Sequence, residues 1–81
     1  AQASLLAMER GAREEELAQL KAVLAHAEAN YRQALADHQR NEKLLRSGVA
    51  TQGDFDATLA RRDQSAAEVT RAREDLNIGL K

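Results

Sequence analysis

The 81-residue chain has no cysteine, no proline and no tryptophan, and only one tyrosine and one phenylalanine. Without cysteine there can be no disulfide, no thiolate metal site and no thiol nucleophile, and both oxidising and reducing compartments stay open. Without proline, no residue forces a long helix to kink or stop. With aromatics at 2% and β-branched residues scarce, the composition argues against a sheet-rich fold. Neither sign of charge dominates: 12 basic against 13 acidic residues leave a net −1, without the one-signed field that a nucleic acid or an anionic membrane would need. No apolar run approaches the roughly 18 residues of a membrane-spanning helix. Ala1–Gly11 lacks the basic start and long apolar centre of a signal peptide. The chain opens on alanine, so we expect a segment of a larger protein.

What is present is alanine and leucine, 17 and 11 residues, with 31% charged residues interspersed. That is the composition of long helices. The remaining large apolar groups are few, and a core this meagre implies a slender structure or one that leans on a partner. Leu17, Leu20, Leu24, Ala27, Tyr31, Ala34, His38, Asn41 and Leu45 recur at alternating three- and four-residue steps, the signature of one helical face. Glu14, Glu15 and Glu16 suit a helix N-terminus, and Lys43 and Arg46 suit a C-terminus. A helix is therefore expected over about 14–46, roughly 50 Å long. A short additional N-terminal helix is expected over about 1–10, carrying Leu5, Leu6 and Met8 and ending at Gly11.

Gly48 can take the left-handed conformation that closes a helix, and Thr51 can cap the next one, with Asp54 three residues on. A turn is expected at about 47–50 and a second helix over about 51–78. The seam of that helix reads Phe55, Leu59, Arg62, Ala66, Val69, Arg73 and Leu76. The fold class is all-α: an antiparallel two-helix coiled-coil hairpin with the short extra helix. Folding about Gly48 juxtaposes positions whose numbers sum to about 97, which places Leu59 near His38, Phe55 near Glu42, Ala66 near Tyr31 and Leu76 near Lys21. Intrahelical pairs are expected for Glu28 with Arg32, Glu42 with Arg46 and Glu68 with Arg71.

Few residues offer chemistry. His26 and His38 are twelve apart, too far for one metal at ordinary helical spacing, so no metal or cofactor is expected. His38 is expected to fill the seam and His26 to face water. The serines and threonines lack a neighbouring histidine–carboxylate arrangement, glycine-rich phosphate loops are missing, and a two-helix rod encloses no reaction chamber. No enzyme is expected. The candidate site is the bend: Arg40, Leu44 and Thr51, spaced R-x3-L-x6-T, with Arg40 and Leu44 one turn apart on a single face. Arg40 can fork onto carbonyls or a carboxylate, Leu44 can enter a shallow apolar groove, and Thr51 can cap its helix and bond outward. A bland reading stands beside this one: a solvated arginine, a seam-flanking leucine and an ordinary cap.

The stretch Tyr31–Leu76, YRQALADHQRNEKLLRSGVATQGDFDATLARRDQSAAEVTRAREDL, resembles the α-helical hairpin of HlyD-type membrane fusion proteins, the periplasmic adaptors of bacterial efflux and secretion systems. The family's tip motif, R-x3-L-x6-S, is matched at Arg40 and Leu44, with Thr51 in place of serine. Leu5–Leu17, LLAMERGAREEEL, is similar to the hairpin base of adaptors serving ATP-driven exporters. The resemblance implies a periplasmic hairpin within a larger protein anchored at the inner membrane beside a transporter. Its tips would assemble side by side and meet a TolC-type outer-membrane channel through Arg40, Leu44 and Thr51. The alternative reading is a structural coiled coil that self-associates as a scaffold.

Overall fold

The computed structural model describes residues 2–80, with side chains from Arg13 onward. It contains two helices, α1 (Gln2–Arg46) and α2 (Gln52–Leu80), packed antiparallel on each other. Among the described residues there is no strand, and no helix is long and apolar enough to cross a membrane. The rod measures 70 × 14 × 13 Å with a radius of gyration of 19.5 Å, against roughly 12 Å for a compact domain of this length.

The first helix differs from expectation. It has no break at Gly11 and no separate N-terminal helix; one 45-residue helix runs from Gln2 to Arg46. A glycine inside a helix costs about 1 kcal/mol relative to alanine, whereas a break leaves unpaired backbone groups on both sides of it. Glu14, Glu15 and Glu16 consequently sit inside the helix, exposed, and its first turn holds no acid. Leu5, Leu6 and Met8, the apolar residues expected of the extra helix, have side chains outside the described residues.

Closure at the other end follows local chemistry. Gly48 stands at φ 80°, and its N–H bonds the carbonyl of Leu45 at 3.1 Å while that of Val49 bonds the carbonyl of Leu44 at 2.9 Å. This is the Schellman arrangement, which satisfies carbonyls that a helix end otherwise leaves open. Lys43 and Arg46 lie in the last turn, where cations favour the dipole.

Every expected α1 seam position, from Leu17 to Leu45, is half-buried or buried, and Ala34 is only 2% exposed. Of the expected α2 seam, Phe55, Leu59, Arg62, Ala66, Val69 and Leu76 are half-buried. Arg73 is exposed, and the deepest positions are Ser65 and Ala72, with Thr58 and Gly79 half-buried on the same line. His38 bonds Thr58, the residue before the expected Leu59, its Nδ1 lying 3.1 Å from the threonine Oγ1. Phe55 tilts its ring against His38, centroids 4.8 Å apart. At the base, a Cβ on Gly79 would stand 2.7 Å from Leu20 and 3.5 Å from Leu17.

Antiparallel register carried seven residues at a time from His38–Thr58 to Leu17–Gly79 aligns the α2 line Thr58, Ser65, Ala72 and Gly79 with the large α1 line His38, Tyr31, Leu24 and Leu17. By the same register the larger α2 line Phe55, Arg62, Val69 and Leu76 is level with Asn41, Ala34, Ala27 and Leu20, all of them buried or half-buried. Apart from His38, the deepest residues are small, because the axes close where a side chain is short.

Arg46 bonds Glu42 at 2.6 Å as expected, and Arg40–Asp37 and Arg62–Asp63 are the other ion pairs among the described residues. Glu28–Arg32 and Glu68–Arg71 are not formed. Exposed pairs of this kind return only a few tenths of a kcal/mol against the entropy of fixing two long side chains.

Gly48→Ala forces an L-residue into the left-handed region and should cost about 1–2 kcal/mol. Chemical denaturation monitored by circular dichroism will measure this. A midpoint equal to that of the parent would contradict the closure described here.

Candidate functional site

The bend is built from backbone that has little freedom. The carbonyl of Leu44 accepts bonds from the N–H groups of Val49 and Ala50 and from the Ser47 hydroxyl at 3.0 Å. On the far side, Thr51 Oγ1 accepts the Asp54 N–H at 3.1 Å, and the Asp54 carboxylate accepts the Thr51 N–H at 3.2 Å. The shorter aspartate therefore closes the capping box that glutamate usually closes. Phe55 N–H then bonds the Thr51 carbonyl at 3.1 Å and starts the α2 ladder.

Behind the bend, His38 locks the two helices in register. It is 5% exposed. The hydroxyl of Thr58 donates to the Phe55 carbonyl at 2.9 Å, an arrangement in which Thr58 Oγ1 accepts from a His38 protonated at Nδ1. The imidazole thus ties α1 to the second turn of α2, with Phe55 tilted 44° across its face. Next to it, Asn41 Oδ1 is buried without a hydrogen-bond partner. A buried orphan acceptor costs about 1–3 kcal/mol, and a single polar residue in a coiled-coil seam can specify register at such a cost.

The three residues singled out from the sequence all lie at this end and all reach the surface. Arg40 holds Asp37 through a charge-assisted bond, yet its side chain is 67% exposed. Leu44 is 37% exposed. Thr51 is exposed, its oxygen occupied by the cap, and among the described residues nothing accepts its hydroxyl hydrogen. Arg40 and Leu44 share a shallow groove with Asp37, Asn41, Thr58 and Arg61, while Thr51 stands apart at the blunt end. Val49 adds an apolar knob at the apex, 72% exposed. His26 faces water.

Sequence reasoning missed Arg61 and Val49. Val49 lay inside the expected turn, where exposure was predictable. Arg61 carries no local signal, since it lies far from the bend in sequence, and only the packing of α2 on α1 brings it into one groove with Arg40.

A protein-family model described as the YBHG alpha-helical hairpin domain matches residues 1–79. No curated protein and no solved structure gives a significant match.

Thr51→Ala should cost about 1 kcal/mol through loss of the cap, and Thr51→Ser only a few tenths. Asn41→Leu, which removes the orphan acceptor, should stabilise the hairpin by about 1 kcal/mol. Thermal melts of the three variants test both statements, and a lower midpoint for Asn41→Leu would show that the amide has a partner after all.

Proposed function

The chain belongs to the YBHG alpha-helical hairpin domain family, whose members are HlyD-like membrane fusion proteins, and from that premise we propose that it is the docking hairpin of a periplasmic adaptor. In this reading the parent protein is anchored at the inner membrane beside a transporter. The hairpin reaches outward, and its tip meets a TolC-type outer-membrane channel to complete an efflux or secretion conduit. Several copies stand side by side around the conduit. The hairpin works by packing and register and carries out no chemistry of its own.

The observation that carries the reading is the placement of Arg40 and Leu44, on one open face about 12 Å and about 6 Å behind Gly48 by helical rise, at the end of a 70 Å rod. A rigid tip with its side chains already ordered loses little freedom on binding. Leu44 is the apolar anchor, fixed through a carbonyl that accepts three bonds. Arg40 offers a planar fork to carbonyls or a carboxylate of partner helix ends. Thr51 supplies a hydroxyl where the family motif has serine. The alternative is a structural coiled coil that self-associates as a scaffold; a chain that doubles back at 47–50 speaks against its parallel, unturned form.

In the full-length adaptor, Leu44→Asp places a charge in the proposed contact and should weaken binding to a purified TolC-type channel at least tenfold, with export falling in step. A cysteine at Val49 should cross-link to the channel while one at Gln33, mid-rod, should not. Unchanged binding and export by Leu44→Asp would defeat the proposal.

A further inference from the structure

We propose that Arg61, on α2, is a further partner-contacting residue, and that the group it takes is a carboxylate on the docking partner; the inference rests on the docking reading above. The groove behind the tip has a volume of about 300 Å³ and holds three charged residues, Asp37, Arg40 and Arg61. Asp37 and Arg40 are bonded to each other, so their charges cancel. Arg61 is left as one uncompensated positive charge. Its own helix cannot neutralise it, since the positions three and four residues away are Ala57, Thr58, Gln64 and Ser65. The nearby acids are taken: Glu42 holds Arg46 and Asp63 holds Arg62.

The chemistry of the occupant follows. One unpaired, exposed guanidinium is complemented by one negative group, and a carboxylate matches its planar fork with two parallel bonds. A free anion gains too little from a single exposed cation in water. A carboxylate already held nearby by Leu44 is different, because its pairing is effectively intramolecular. The groove also joins polar to apolar surface: Leu44 lies in the same depression as Arg61 and can receive the methylene stem of an Asp or Glu side chain. The docking face therefore spans both helices, and the hairpin presents it only when His38 and Thr58 hold α1 and α2 in the observed register.

The test is binding of the full-length adaptor to a purified TolC-type channel at about 50 mM and about 500 mM salt, across which the Debye length shrinks roughly threefold. Arg61→Ala should weaken binding about two- to fivefold at low salt and hardly at all at high salt; Arg61→Lys should keep part of the affinity and Arg61→Glu should lose more than Arg61→Ala. Leu44→Asp serves as the companion variant. If Leu44→Asp weakens binding while Arg61→Ala binds as the parent does, the role of Arg61 is refuted and the docking reading stands. If Arg61→Ala weakens binding equally at both salt concentrations, the contact is packing and the carboxylate is refuted. If neither variant changes binding, or the parent does not bind, both readings fall.

Discussion

In a rod of two helices each layer of the interface holds one residue from either strand, so the separation of the axes is set by the pair and not by either residue alone. Here large residues recur every seven positions on one line of each helix and mostly small ones on the neighbouring line. Antiparallel pairing sets most large side chains opposite small ones. By the register of the His38–Thr58 and Leu17–Gly79 contacts, Tyr31 is level with Ser65, Leu24 with Ala72, Arg62 with Ala34 and Val69 with Ala27. The one layer with two large residues, Leu20 and Leu76, sits next to Gly79, where the missing side chain gives Leu20 room. This alternation lets a chain with two aromatic residues and few large aliphatics close a stable seam over tens of ångströms.

The same constraint determines what the tip can present. Because the interface consumes only a narrow stripe on each helix, the remaining faces are solvated, and function has to be written on the surface of the rod or at its end. The bend gathers several independent locks within a few residues: left-handed Gly48, the triply bonded Leu44 carbonyl, the reciprocal Thr51–Asp54 cap and the His38–Thr58 bond. Few of these gain from burial of apolar area. They are directional, and they convert a flexible hairpin end into a surface of fixed shape.

Much of this was legible beforehand. Period and terminal signals located α2 and the C-terminal end of α1, Gly48 and Thr51 located the turn, and the α1 seam from Leu17 to Leu45 is buried or half-buried throughout. Three features were not. Gly11 was expected to break the helix, because a propensity penalty is visible in a sequence while the larger cost of two new helix ends is not. On α2 the line of Phe55, Arg62, Val69 and Leu76 was recognised by its bulk, whereas Thr58, Ser65, Ala72 and Gly79, small and partly polar, gave no hydrophobic signal although they are the line that faces the large α1 residues. The ion pairs were ambiguous because several partners lie within reach of each arginine.

The sequence by itself determined that the chain is helical, that it turns at Gly48, and that Arg40, Leu44 and Thr51 belong to the turning end, since each of these follows from local backbone preferences and spacing within a few residues. Folding about the Gly48 turn also placed the register to within a residue, as the His38–Thr58 and Gly79–Leu17 contacts show. Only the tertiary structure decided which side chains of the two helices share a surface, because rotation of each helix about its axis leaves no mark on local preferences; that packing brings Arg61 into one groove with Arg40.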